Sequence, residues 1–224
     1  MREKRTFLVL GLGIFGSTIA RELSRYGQDV IAIDRDMSCI ERLADYVTHA
    51  ACCDFNDIEQ LKAVGAENID CAIIATGSHL EESVMAAMNL QELKVPMIIA
   101  KAKNRKYSQI LLKIGCDRVV TPEKEIGFKT AKYLVSKNIV DLIEIDKEYN
   151  IVELKAPTKW IGKSLIDLEL RNKYNINVLG TRACGGEHLE LSLDPNQPIT
   201  ENSRLLMIIG NDVFANFSKF EDVE

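Results

Sequence analysis

Apolar residues in this chain fall into two alternating patterns. Short apolar runs recur at residues 7–10, 29–34, 47–53, 71–75, 96–100 and 117–120. Between them, apolar positions recur at helical spacing, as in Ile14, Thr18, Ile19 and Leu23. Helices are predicted from residue 14, over 37–46, and around Ile58, Leu61 and Val64 up to Gly65. Others are predicted over 80–93, with Val84, Met88 and Leu90 facing inward, and over 104–114, closed by Gly115. Thr121, Pro122 and Glu123 read as another helix start: a cap, a proline at the first helical position and an acid in the first turn. Runs with no polar face suit parallel strands covered by helices on both sides. The alternation predicts an α/β fold, a Rossmann-like doubly wound parallel sheet, with every strand's carboxyl end on one ligand-binding edge.

Near residues 136–140 the period changes to two. Strands are expected at 140–145, 151–154, 176–181, 188–193 and 204–209, with a short helix at 164–168 and a last one at 213–220. The expected organisation is a nucleotide-binding domain over residues 1–136 and a small α+β domain over 137–224.

The first strand runs straight into Gly11-Leu-Gly13-Ile14-Phe15-Gly16, a G-x-G-x-x-G at the start of a helix. The first glycine permits the turn and the second lets a pyrophosphate approach the backbone. The third lets helix and strand pack closely, leaving free amides and the positive end of the helix dipole facing the ligand. The motif alone is weak. Here the second strand ends in Asp34, roughly 20 residues on, where a ribose-binding carboxylate belongs. Thr76-Gly77-Ser78-His79 makes another strand-to-helix turn on the same edge, and Asp54 or Asn56 would cap the helix that follows them.

Composition narrows the classes. With 28 basic against 33 acidic residues and a formal charge of -5, no nucleic-acid footprint is expected. Lys101, Lys103, Arg105 and Lys106 form one basic cluster, which reads as a solvated helix start. Cys39, Cys52, Cys53, Cys71, Cys116 and Cys184 show no zinc spacing and fit reduced thiols in a cytosolic protein. No apolar run approaches the ~18 residues of a membrane span, so a membrane role would come through a partner rather than by insertion.

Several stretches together carry a family resemblance over nearly the whole chain. They are Val9 to Ser17, Val30 to Asp34, Ile98 to Ala102, Trp160 to Leu165 and, most specific, Ile114-Gly-Cys-Asp117-Arg-Val-Val-Thr-Pro-Glu123-Lys-Glu-Ile-Gly127. On these residues the chain resembles the RCK (regulator of potassium conductance) proteins. It is especially similar to the single-copy cytosolic subunits of Ktr/Trk-type potassium uptake systems. The resemblance implies a non-enzymatic sensor, cytoplasmic and held at the inner face of the membrane by a membrane-spanning potassium channel subunit. Its dimers would assemble into an octameric ring, whose shape responds to ATP or ADP, or to NAD or NADH.

By matching position, the resemblance places Gly11, Gly13, Ile14, Phe15 and Gly16 at the phosphates and Asp34 at the ribose. Cys53, Asp54, Thr76 and Gly77 would border the adenosine, with Lys101 nearby, while His79 on the same edge either touches a phosphate or begins a helix at the surface. Glu123 would stand at the dimer interface, where relatives use it with a divalent or monovalent cation. Its alternative is an acid favoured by the helix dipole. Arg35 either contacts the ribose side or is a surface residue. Relatives often carry an arginine where this chain has Ile14, reaching a γ-phosphate across the dimer; isoleucine cannot supply that contact. An acid at position 34 disfavours a 2′-phosphate, making NADP the least expected ligand. In the second domain, Arg171, Ile176 and Asn177 match a cyclic di-AMP site of several relatives, or are a helix end and strand cap.

Two rivals stand beside this reading. An NAD-dependent oxidoreductase would use Tyr133 and Lys137, a Y-x-x-x-K pair, but Val119 and Val120 occupy the region where such enzymes need a serine. His49, His79 and His188 lie on three separate elements and form no triad. The other rival is a nucleotide sensor serving a different transporter, or none.

Overall fold

In the computed structural model, the described residues are 4–77, 79–135, 138–183, 186 and 188–215. Contacts divide the chain into two units, Met1–Glu125 and Ile126–Glu224. The boundary expected at 136/137 lies outside the described residues.

The first unit contains β1 (Thr6–Leu10), α1 (Ile14–Arg25), β2 (Asp29–Asp34), α2 (Met37–Glu41), β3 (His49–Cys52), α3 (Ile58–Ala63), β4 (Cys71–Ile74), α4 (Leu80–Glu92), β5 (Ile98–Lys101), α5 (Arg105–Ile114) and β6 (Arg118–Val120). Its six strands are all parallel, in the order β3-β2-β1-β4-β5-β6. The order reverses between β1 and β4, and ligands of such sheets bind outside the strand ends at that point. Alternation along β1 divides the core. Val9 faces a cluster with Ala20, Ile40 and Leu43 of the α1–α2 side. Leu8 and Leu10 face a cluster with Leu61, Ala86, Leu90 and Leu111 of the α3–α5 side.

Three local expectations are corrected here. The helix expected over 37–46 stops at Glu41, and a 3-10 turn, Ala44–Tyr46, follows. Hydrogen bonding there shifts to three-residue spacing, Leu43 N–H to the Ile40 carbonyl and Tyr46 N–H to that of Leu43, which turns Ile40 and Leu43 inward together. In α4 the buried face is Ser83, Ala86, Ala87 and Leu90, while Met88 is 52% exposed. Small residues let this helix lie close to the sheet, and Met88 falls on the far side of that phase. The cap of α3 is neither Asp54 nor Asn56 but Asp57, whose Oδ1 accepts the amides of Glu59 and Gln60.

Helix α6 (Pro122–Val135) begins in the first unit and continues into the second. The second unit then contains β7 (Ile139–Glu144), β8 (Tyr149–Lys155), α7 (Leu165–Leu168), α8 (Leu170–Tyr174), β9 (Asn177–Arg182), β10 (Arg204–Gly210) and α9 (Asn211–Ala215). Its sheet is antiparallel, in the order β7-β8-β10-β9. Leu142, Val152, Leu154, Leu205, Met207 and Ile209 from alternate positions close a core with Trp160 and Ile176. The strand expected over 188–193 does not form. A single bridge joins Glu190 to Thr181 on β9, and Leu191 is 66% exposed, so its alternation meets no core. Of the helix expected over 213–220, α9 covers the start; residues 216–220 lie outside the described residues.

Candidate functional site

The glycine loop sits at the reversal of strand order, and its three glycines have three different physical reasons. Gly11 has φ +89°, a left-handed conformation that side chains resist, and its N–H donates to the Ile33 carbonyl at 2.9 Å. At Gly16 a Cβ would lie 1.9 Å from the Gly11 carbonyl oxygen and 2.9 Å from the Ala75 Cβ, so helix and strand can approach only with glycine there. Gly13, which caps α1, has nothing within 4 Å of where a Cβ would stand. Space is open where a phosphate would approach the first amides of α1.

Asp34, the acid that closes β2, has both carboxylate oxygens engaged. Its Oδ2 accepts the Leu12 amide at 2.6 Å and its Oδ1 the Asp36 amide at 2.9 Å, so this carboxylate braces the glycine loop. The sequence pattern does not carry that role. Arg35 is an exposed surface residue that ties neighbouring segments together: its guanidinium meets Asp54 at 2.7 Å, Glu82 at 3.1 Å, and the Phe55 ring at 5.1 Å. The Asp54 hydrogen bond raises the Arg35 pKa. Burial pushes the Asp54 carboxyl up, but the Asn56 amide and Arg35 outweigh it and hold it below the usual range. Glu82 and Phe55 were not among the sequence candidates; only Phe55, next to Asp54, stood close enough to invite notice.

The remaining candidates divide by side-chain direction. Cys53 is 3% exposed, its side chain in the core and its thiol pushed up by burial to about 11, so only its backbone can border a ligand. Thr76 holds its carbonyl against the Ser83 hydroxyl, which donates at 3.0 Å. At Gly77 a Cβ would meet the Lys101 stem at 3.2–3.3 Å. His79 caps α4 by backbone only and is exposed. Ile14 is 91% exposed at the first position of α1.

Lys101 departs from the solvated basic face expected for it. Its side chain is 17% exposed, its ammonium lies 2.5 Å from Glu123 Oε1, and the Phe15 ring is 5.7 Å away. That ammonium, together with Glu123's own backbone N–H, holds the Glu123 carboxyl below its ordinary value. Thr121 opens α6, its carbonyl accepting the Lys124 and Glu125 amides, and Glu125 Oε1 in turn accepts the Thr121 amide at 3.0 Å. Among the described residues no three His, Cys, Asp or Glu side chains gather into a metal site. A cation at Glu123 would need ligands from a nucleotide or a second subunit.

In the second unit, Arg171, Ile176 and Asn177 line one groove of about 430 Å³ with Ile166, Glu169 and Val178. Ile176 is 1% exposed, its side chain committed to the core, so the polar groups of the lining are Glu169, Arg171, Asn172 and Asn177. Among the described residues Cys39, Cys52, Cys53, Cys71 and Cys116 are free thiols; Cys184 and Lys137 lie outside the described residues. No helix of the described residues is long and apolar enough to cross a membrane.

The TrkA-N domain family model matches residues 7–122. The Ktr system potassium uptake protein A of Bacillus subtilis is 35% identical over 221 residues, covering 98% of this chain and 97% of that one. The chain belongs to the Ktr/Trk potassium uptake protein family. Among solved structures, the GsuK channel bound to NAD matches 98% of this chain and 40% of its own, at TM-score 0.65 and 17% identity. GsuK bound to ADP matches 61% of this chain and 36% of its own, at TM-score 0.52 and 14% identity. These two likenesses establish a shared RCK-type fold in the Ktr/Trk family member described here.

Proposed function

We propose that this chain is the nucleotide-sensing gating subunit of a potassium uptake system, acting without catalysis. It works at the inner face of the membrane through a membrane-spanning channel subunit. Its dimers assemble into a ring, an octamer by analogy with the family it resembles. The observation that carries this reading is an open Gly13 amide edge at the strand-order reversal, in a chain that is similar to a Ktr potassium uptake protein over 98% of its residues.

The ligand is an adenine nucleotide or dinucleotide, ATP or ADP, or NAD or NADH. Gly11, Gly13 and Gly16 shape its phosphate seat, and Asp34 takes the ribose. The Arg35–Asp54–Glu82 tie walls the adenosine side, and residues 1–136 do this work. Lys101, now neutralised by Glu123, lies 5.7 Å from the Phe15 ring of the loop. Arriving phosphates would compete with Glu123 for it and free that carboxylate for a cation. Arg171 and Asn177, within residues 137–224, offer a second-messenger seat for cyclic di-AMP.

Gating requires unequal affinity for two states of the ring. A tenfold difference corresponds to about 1.4 kcal/mol per site, and linked sites add. The deciding experiment is potassium-uptake complementation in a deficient strain carrying the channel subunit, with and without this chain. Uptake that depends on this chain, and loses its nucleotide response with Asp34→Asn, is expected. Uptake indifferent to the chain overturns the reading.

A further inference from the structure

Beside the glycine loop, on the α1–α2 side of the sheet, lies a cavity of about 250 Å³ lined by Gly13, Ile14, Ser17, Arg21, Cys39 and Arg42. At ~30 Å³ per liquid water it has room for roughly eight waters. Ile14, Ser17 and Arg21 follow one another along one face of α1, at three- and four-residue steps. Arg42 comes from the end of α2 opposite.

The two guanidiniums are held in place without being neutralised. Arg21 donates through Nη2 to the Arg42 carbonyl at 3.2 Å and lies 4.5 Å from the Tyr46 ring centroid. Arg42 donates through Nε to the Ser38 carbonyl at 3.1 Å and through Nη2 to the Cys39 sulfur at 3.0 Å. Among the described residues neither forms an ion pair with a carboxylate, whereas Arg25, Arg35 and Arg182 each face one. Asp36 feels the field of Arg42, but its Oδ1 accepts the Ser38 amide as the cap of α2 and its Oδ2 faces the Cys39 sulfur at 3.8 Å. Two fixed cations, each with N–H donors to spare, share a hollow that opens at the second glycine. Such an arrangement is complementary to a doubly charged tetrahedral anion.

We propose that this cavity is a subsite for a terminal phosphoryl dianion, with Arg21 and Arg42 as its binding residues. The proposal rests on nucleotide binding at the glycine loop and goes beyond it. The cation that Ile14 does not supply comes from the same subunit, two turns further along α1. The phosphoryl group is either the last phosphate of the nucleotide chain or a phosphate on its ribose. A phosphate on the ribose is the less favoured source, because the backbone amides that Asp34 accepts leave its carboxylate charged. Free inorganic phosphate shares the chemistry and is a third source.

The test is calorimetric titration of the intact protein at low ionic strength with matched pairs, ADP against ATP and NADH against NADPH, and with inorganic phosphate alone. The proteins are wild type, Arg42→Gln, the double variant Arg21→Gln/Arg42→Gln, and Arg42→Lys as a charge-retaining control whose thermal melt matches wild type. One member of a pair carrying the extra phosphoryl group is expected to bind about tenfold or more tighter than its partner. That advantage should vanish in the double variant, persist in part in Arg42→Lys, and leave ADP and NADH affinities unchanged. The winning pair names the source. Inorganic phosphate that competes with the winning member but not with its partner supports the same site. Equal affinities within both pairs, or a preference that survives the double variant, overturn the subsite. So does inorganic phosphate binding that competes with no nucleotide. If wild type binds neither ADP nor NADH, the nucleotide reading itself has failed, and that result is distinct from loss of discrimination alone.

Discussion

Gly13 and Gly16 are three residues apart, yet alanine should act on them through opposite routes. In Gly16→Ala the new methyl would stand 1.9 Å from the Gly11 carbonyl oxygen and 2.9 Å from the Ala75 Cβ. The first obstacle is backbone, so no rotamer change relieves it, and the β1–α1 turn must open. Overpacking of this kind costs about 1–3 kcal/mol, and a backbone clash belongs at the upper end. For a chain of this size that corresponds to a fall in Tm of roughly 6–12 °C, at about 2–4 °C per kcal/mol. Gly13→Ala meets nothing within 4 Å, so its Tm should stay within about 4 °C of wild type, since glycine and alanine at a helix cap differ by about 1 kcal/mol or less. Its methyl would, however, occupy the approach to the first amides of α1. Loss of one or two charge-assisted phosphate bonds predicts ADP affinity falling about 10- to 100-fold. Thermal melts followed by circular dichroism, with calorimetric ADP titration, measure both quantities. A Gly16→Ala protein as stable as wild type would refute the close-packing argument. A Gly13→Ala protein with undiminished affinity would show that phosphates do not enter at that edge.

Glu123 has its pKa lowered by Lys101. Its ion pair therefore contributes fully above the ordinary glutamate value of 4.5 and is lost as pH falls through the lower folded value. Carboxyl NMR titration should show this, and Lys101→Met should return Glu123 toward 4.5. Arg35→Gln should cost less than about 1 kcal/mol, its partners being half exposed, but should raise the Asp54 pKa and weaken nucleotide binding several-fold. An unchanged Asp54 titration would remove the tie from the account. Thiol alkylation at pH 8 should mark the exposed Cys52 first, with Cys71 and Cys116 silent until denaturation, since burial lifts both thiols to about 11. Early labelling of Cys71, mapped by peptide mass, would contradict the packing of β4.

Most of the architecture was written in local order. Runs apolar on both faces admit few fates other than parallel strands under helices, and the turn from β1 into α1 tolerates little but glycine at positions 11 and 16. Those constraints act between neighbours in the chain, so periodicity and residue type reveal them. Asp34 was legible for the same reason, as an acid closing the second strand. What periodicity could not convey were choices made between distant segments. Met88 looked as apolar as Leu90, but the phase that lets alanines of α4 lie against the sheet turned it to solvent. The alternation of residues 188–193 had no partner surface and formed no strand. Arg35, Lys101 and Arg21 are ordinary charges in a linear reading. Folding alone decided that the first ties two loops to the start of α4, the second is neutralised by the start of α6, and the third keeps its charge beside a hollow. An electrostatic role depends on which opposite charge lies within a few ångströms, and that distance is set by the sheet, not by position along the chain.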